Sequence, residues 1–380
     1  MPPREVSYSI APPRIGFSRT FAPGGQIKLS GMLHLSEPPQ SLCILRLSAI
    51  GDTCHVVPLV RSLQRTWPTT RLTWVIGRSE ARLMSLLPGV EFITVDKRDG
   101  LRALPSLRRA LRGRRFDVLL HLQLSLRASL LSTAIPATVR LGFDRPRARE
   151  GQWVFTNASI RPRLREHVLD SFQGFLWALG LDPGPLQWDL PLPDEAVQYA
   201  AELVPDTQPT LIISPCSSHT ARNWSAERYA AVADYAARAY HMRVILCGGP
   251  TPLERKTAAA IDRLTKAQLL NQTGRDTLPQ MLALLARASV LLCPDSGPAH
   301  MATMVGTPVI GLYAATRSAR TGPYRSLRWC VDRYEAAARR FRSRTAEQLP
   351  WTEKIEEPGV MDLIEIADVR GRLDALLGAK

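Results

Sequence analysis

Two successive series of short apolar runs, each run followed by a stretch with helical spacing, constrain the fold of this chain more than any other feature. In the first series the strand-like runs lie at 42–47 (LCILRL), 72–76 (LTWVI), 91–95 (EFITV), 117–121 (DVLLH) and 138–142 (TVRLG), with helical patterns at 54–66, 79–87, 101–112 and 124–134. The second series has strands at 210–214, 242–247, 268–271, 289–293 and 308–313, with helices at 225–240, 252–265, 278–288 and 298–305. Strict β-α alternation predicts a mostly parallel sheet, with right-handed crossovers that place helices on both faces. Between the series, 181–195 (LDPGPLQWDLPLPDE) is Pro-rich and aperiodic, 196–204 looks helical, and 205–210 (PDTQPT) announces a new start. The chain therefore reads as two α/β halves. Ligands of such sheets sit at the carboxyl ends of the strands, here in the cleft between the halves. The expected domains are 41–200 and 201–345, preceded by a flexible extension (1–40) and followed by a helical tail (346–380) that returns to the first domain.

At 380 residues, with 45% hydrophobic and 22% charged residues, the chain is long enough for two ordinary cores. No apolar run reaches 18 residues, and the first 40 residues lack an h-region. That stretch is read as an extension, or as a start placed upstream of Met32. The six cysteines form no C-x-x-C pair. Cys43, Cys247 and Cys293 fall within apolar runs, as free thiols of a reducing compartment do, so no metal and no disulfide framework is expected. A cytoplasmic location follows from that reading.

The net charge of +15 divides as +2 in 1–40, +7 in 41–205, +10 in 206–345 and −4 in 346–380. Basic surfaces attract nucleic acid, anionic membrane or phosphorylated small molecules. Aromatic residues are only 7%, no nucleic-acid-binding module is recognisable, and the charge is spread over both halves, so no nucleic-acid partner is expected. A basic non-catalytic nucleic-acid-binding protein stays as a competing reading. The stretch 97–115 (KRDGLRALPSLRRALRGRR) has eight basic residues and one acidic one. Its Leu/Ala spacing fits an amphipathic helix, either lying on anionic lipid or packed on the sheet with a solvated face.

The segments after the strands carry the chemistry. In 289–313 (SVLLCPDSGPAHMATMVGTPVIGLY) a buried strand leads through Asp295, Ser296 and Gly297 into a helix that begins near Pro298 and ends at Gly306. The turn is either an anion site at the helix N-terminus or an ordinary N-cap. In 214–224 (SPCSSHTARNW) the hydroxyls of Ser217 and Ser218 stand near Arg222, a set suited to a diphosphate, or a solvated loop. In 247–254 (CGGPTPLE) two glycines allow close backbone approach, and Glu254 is either a ribose acceptor or a first-turn Glu favoured by the helix dipole. In 44–55 (ILRLSAIGDTCH) an apolar strand runs into Gly51-Asp52. Asp52, a carboxylate at the tip of a core strand, must have a partner or a job, the plain alternative being the cap of a helix starting near Thr53, and Gly51 is read as allowing the sharp turn. Arg46 is expected to pair with Asp52, and His55 to hydrogen-bond it. Neither G-x-G-x-x-G nor G-x-x-x-x-G-K-[ST] occurs, which argues against a dehydrogenase and a P-loop NTPase and leaves a nucleotide-sugar transferase.

Four segments, RLSAIGD with His55, SPCSSHTARNW, GGPTPLER and PDSGPAHMATMVGTPVIGLY, resemble the heptosyltransferases of glycosyltransferase family 9, over about residues 42–330. The resemblance implies a GT-B fold, two Rossmann-like domains with parallel sheets facing across a cleft. It implies inverting, metal-independent transfer of a heptose from ADP-heptose, a donor substrate rather than a cofactor, to the lipopolysaccharide inner core. No D-x-D motif occurs, in keeping with a metal-independent donor site. By the same resemblance Asp52 matches the catalytic base, and Ser217, Ser218 and Arg222 match the diphosphate segment, where relatives often carry Thr and Lys. Glu254 falls at the nucleoside, and Asp295, Ser296, Gly297 and His300 at the donor loop. Arg46, His55, Arg127 and Arg149 are candidates for a lipid-linked, phosphorylated saccharide acceptor, which implies peripheral contact with the inner membrane. A GT-B transferase with another nucleotide-sugar donor is the nearest alternative. A catalytically dead relative is disfavoured by the presence of both Asp52 and Asp295.

Overall fold

The computed structural model describes residues 20, 21, 27–30, 33, 35 and 37–378. The two series of strands form two sheets. The first runs, in spatial order, Thr20–Phe21, Ile27–Ser30, Ala158–Ser159, Ala137–Gly142, Phe116–His121, Ser41–Leu45, Arg71–Gly77 and Val90–Val95. The second runs Leu269–Asn271, Arg243–Leu246, Thr210–Ile213, Val290–Pro294, Val309–Tyr313 and Val331–Asp332. Every pairing is parallel except that of Thr20–Phe21 with Ile27–Ser30. Central strands such as Ser41–Leu45 and Val290–Pro294 are buried at every residue, as expected where helices cover both faces.

Several boundaries differ from the sequence expectation, each for a local reason. The stretch 1–40 is not wholly an extension, because Ile27–Ser30 pairs with Ala158–Ser159 at the edge of the first sheet. Its other residues lie largely outside those described. The first helix spans Ile50–Thr66 and so begins four residues before 54, making Asp52 its third residue. The basic stretch 97–115 is not one helix. Gly100, at φ +54°, kinks the 3-10 stretch Lys97–Arg102 that precedes the helix Ala103–Ala110, whose Ala103 and Leu107 are buried against the first sheet. Asp194–Leu203 packs on Leu278–Arg287, so residue 200 falls inside a helix that belongs to the second half.

The tail corrects its expectation in two parts. Its helix Ile366–Gly378 braces the second half, not the first. Val369 and Leu373 enter the second core, and Asp374 accepts from Tyr235 and Tyr240 of the helix Ala226–Tyr240 at 2.6 and 2.7 Å. The segment before it does reach the first half: Trp351 Nε1 donates to the Glu166 carbonyl (2.8 Å), and Arg165 donates to the Glu347 carbonyl (2.8 Å). Among the described residues, no helix is long and apolar enough to cross a membrane.

The halves meet where the helix Ile50–Thr66 packs on the helix Gly297–Val305. One contiguous apolar cluster joins Val57, Val60 and Leu63 to Leu282, Met301 and Met304. Two glycines permit the approach. A Cβ on Gly297 would stand 2.2 Å from Ile50 Cγ2, and one on Gly51 would stand 2.3 Å from His300 Cδ2. Gly51 lies within the helix, so packing and not a sharp turn requires it. Gly297→Ala is expected to lower stability by ~1–3 kcal/mol through overpacking, because β-branched Ile50 cannot swing aside. Adding Ile50→Ala should recover part of the loss, whereas additive losses in a double-mutant cycle of thermal unfolding would show that the two residues do not meet.

Candidate active site

The strand Ser41–Leu45 delivers Arg46 and the loop that leads to Asp52. Arg46 is buried, with both terminal nitrogens engaged and its Nε unpartnered among the described residues. Its Nη1 donates to the Leu122 carbonyl (2.6 Å), its Nη2 forms an ion pair with Asp52 Oδ2, and its guanidinium lies 5.4 Å over the Phe172 ring. Gln123 Oε1 accepts from the backbone N–H groups of Leu47 and Ser48 at 3.1 and 3.2 Å and pins the loop. Asp52 Oδ2 also accepts from the Ala49 N–H at 3.2 Å, a reach back over the first helical turn that suits the positive end of the helix. The cap and the Arg46 pair thus coexist on one oxygen. Oδ1 accepts no hydrogen bond among the described residues, and the side chain is 31% exposed. A carboxylate held rigidly by one oxygen, with the other free, can receive a proton at a fixed place.

His55 does not bond Asp52. It is buried with its ring edge-on to His300 (centroids 4.5 Å apart) and His167 (5.4 Å). His167 Nε2 bonds the Gly322 carbonyl at 2.9 Å, while its Nδ1 accepts from the Leu169 N–H at 3.1 Å, an N-cap to the helix Val168–Ala178. Two histidines of the first half are thereby seated on His300 and Gly322 of the second. Burial, aided by the neighbouring His and Arg charges, holds His55 well below the usual imidazole range. Burial likewise lowers His300, against the pull of Asp295 and Asp52, and brings His167 down to about 4. Groups with folded pKa values depressed in this way bind fewer protons folded than unfolded below pH ~6.5. Stability should be complete above that pH and fall as pH drops towards 4, by ~1.4 kcal/mol per unit of depression. Thermal unfolding of wild type and His55→Phe between pH 7 and 4.5 checks this: the variant should flatten the slope, and parallel slopes would exclude the cluster as its source.

In the second half, Arg222 and Asp295 organise the cleft wall. Arg222 Nη1 donates to Asp295 Oδ2 (3.3 Å), while Nε and Nη2 both donate to Glu356 Oε1 (3.0 and 2.8 Å). Asp295 Oδ2 also accepts from Thr316 (2.8 Å) and Thr321 (3.3 Å). Ser296 occupies the N-cap position of the helix Gly297–Val305, yet its hydroxyl donates to the Pro294 carbonyl (3.2 Å) and makes no cap. The helix start thus keeps N–H groups without a side-chain acceptor, which favours the anion-site reading over the N-cap reading. Ser217 is buried, its N–H donating to Asn223 Oδ1 (2.6 Å) and its hydroxyl accepting from the His219 N–H (3.3 Å), and Ser218 is exposed. Glu254 turns back on its own loop, accepting from the Gly249 N–H (2.7 Å) and the Thr251 hydroxyl (2.5 Å).

Of the acceptor candidates, Arg149 crosses the cleft to Thr352 of the tail. Arg127 donates to the Lys97 carbonyl at 3.1 Å, outside the group formed by Asp52, Arg222 and Asp295. The sequence reading missed Thr316, Thr321, Arg320, Lys354 and Glu356. The segment 314–321 (AATRSART) follows a core strand, as the segments singled out do, and that position was the available signal. Nothing in the sequence placed Glu356 beside Arg222, 134 residues away.

Two parallel α/β sheets meeting at a cleft of fixed carboxylates and arginines define the GT-B class. Solved structures share the fold: a family 9 glycosyl transferase from Veillonella parvula (TM-score 0.73, 21% identity, 90% of this chain and 98% of that one) and Escherichia coli heptosyltransferase WaaC with ADP (TM-score 0.68, 18% identity, 88% and 99%). The chain belongs to glycosyltransferase family 9 (heptosyltransferase), whose model matches residues 104–349, and it is therefore a glycosyltransferase. The lipopolysaccharide core heptosyltransferase OpsX of Haemophilus influenzae is 38% identical over 341 residues, covering 90% of this chain and 98% of that protein. Lipopolysaccharide heptosyltransferase 3 of Escherichia coli is 22% identical over 343 residues, covering 86% and 96%. Family membership decides for an enzyme over a nucleic-acid-binding protein.

Proposed function

We propose that this protein transfers a heptose from ADP-heptose to the inner core of lipopolysaccharide, with inversion at the anomeric carbon and without a metal. The observation that carries the reading is that two groups come to one junction of the halves: Asp52, with its free Oδ1, on the helix that packs against Gly297–Val305, and Arg222, fixed on Asp295 just before that helix. The 38% identity to OpsX over most of both chains supports heptose and lipopolysaccharide core as donor sugar and acceptor. In the reaction an acceptor hydroxyl attacks the anomeric carbon and its proton passes to Asp52 Oδ1. The bond from that carbon to the β-phosphate oxygen breaks, and ADP departs with the electron pair. The base answers for the proton, and cationic side chains with helix N–H groups answer for the charge on the diphosphate. Arg222 and the start of the helix Gly297–Val305 take the role that a divalent cation has in metal-dependent transferases. The acceptor is lipid-linked, so the enzyme works at the cytoplasmic face of the inner membrane. The exposed arginines of 98–115 face anionic headgroups there, with the short helix Ala103–Ala110 packed beneath them.

The test is incubation with ADP-heptose and a heptose-less lipopolysaccharide acceptor in chelator, followed by mass and anomeric analysis of the product. Incorporation with inverted configuration supports the reading. A product only from a UDP- or GDP-sugar would move the donor, and a strict need for added metal would remove the metal-free mechanism.

A further inference from the structure

The short helix Ser318–Thr321 and the N-cap residue before it carry two arginines with opposite fates. Arg317 is structural: its Nη2 donates to the Ala346 carbonyl (2.5 Å), and its guanidinium lies 4.2 Å over Tyr334. Arg320, one turn on, is half-buried, yet among the described residues its side chain makes no hydrogen bond and no ion pair within 4 Å. The next residue, Thr321, touches Asp295, and Gly322 holds His167, so the segment is anchored to both halves. The charges that act on Arg320 are Asp52 of the first half and Asp295 of the second, which attract it, and Arg149 and Arg222, which repel it. Lys354 faces the same group, repelled by Arg222 and Arg320.

The cleft thus gathers five cations (Arg46, Arg149, Arg222, Arg320, Lys354) around three carboxylates (Asp52, Asp295, Glu356). Two positive charges remain unmatched in a partly desolvated site, which is unfavourable until an anion completes it. Arg46 and Arg222 are already held by carboxylates. Arg320 and Lys354 both keep their donors free among the described residues, and of the two Arg320 sits on the segment anchored to both halves, beside Thr321, which touches Asp295, and Gly322, which holds His167.

We infer that Arg320 is a direct ligand of the donor's diphosphate and takes up the negative charge that develops as the nucleotide leaves. The inference rests on the nucleotide-sugar reading above and adds a residue to it. A group that binds the leaving diphosphate more strongly as charge builds acts on turnover as well as on affinity.

Calorimetry with ADP and with adenosine, on wild type, Arg320→Ala and Arg320→Lys, tests it, alongside turnover and thermal unfolding without nucleotide. For Arg320→Ala, ADP affinity should fall about tenfold or more and kcat about 10²-fold. Adenosine affinity should not move, and the nucleotide-free melting temperature should hold or rise, since a cation without a partner has been removed. Arg320→Lys should recover part of both losses. Unchanged ADP affinity and turnover would overturn the inference, as would a change confined to the acceptor KM, or equal losses for ADP and adenosine. If wild type itself does not prefer ADP to adenosine, the nucleotide-sugar reading falls with it. An ADP-selective wild type with an indifferent Arg320→Ala overturns the inference alone.

Discussion

Asp52→Asn is expected to lower kcat by ~10²–10⁴-fold, the span of a positioned general base, while ADP affinity stays within about threefold. The substitution is nearly isosteric. An Asn oxygen can still accept from the Ala49 N–H and from Arg46, so the loop pinned by Gln123 should hold its shape. What is lost is the proton-accepting capacity of the second oxygen, which makes no other contact. The ion pair with Arg46 also loses its charge, and because Arg46 is buried a modest drop in melting temperature should accompany the kinetic loss. Single-turnover kinetics at saturating donor separates the two effects. Near-normal turnover with an intact fold would remove Asp52 as the base and leave it the helix N-terminus and the Arg46 pair.

The second large effect is expected of Arg222→Ala, which should weaken ADP binding by ~10²-fold and destabilise the second half as well. Its guanidinium bridges Asp295, which is buried, and Glu356, which comes from the tail. Removing it leaves Asp295 with only the hydroxyls of Thr316 and Thr321 and unties the tail from the cleft wall. Arg222→Lys should keep some ADP affinity but not the bridge, because a point charge cannot meet both carboxylates with the fork that Arg provides. Calorimetry with ADP, set beside thermal unfolding, distinguishes the roles. A stability loss without a loss of ADP affinity would make Arg222 a strut and not a phosphate ligand.

Much of the architecture was legible because it is periodic. Leu42–Leu45 and Val290–Cys293 announce buried parallel strands by composition alone, and Pro298 and Gly306 bracket a helix by their backbone restrictions. Asp52, Arg222 and Asp295 were findable as candidates because ligands of parallel sheets sit where strands end. Three things were not legible. The Gly51-Asp52 pair read as a turn, because the partner that requires Gly51, the ring of His300, lies some 250 residues further on. His55 read as a neighbour of Asp52, because helix spacing does not reveal that a second half will cover that side chain. The tail read as a brace for the first domain, whereas its helix docks on Tyr235 and Tyr240.

The order of strands and helices, the division into two α/β halves and the identity of the chemical groups at the strand ends were determined by the sequence itself, since each depends on contacts within a few residues or on the burial of one face. Which groups pair, which remain free and how the halves touch was decided by the tertiary structure alone. A carboxylate such as Glu356 is indistinguishable in sequence from any exposed Glu until folding brings it to Arg222. An arginine such as Arg320 becomes chemically distinct from Arg317 only when folding gives Arg317 backbone carbonyls to bond and leaves Arg320, partly desolvated, without a hydrogen-bond partner among the described residues.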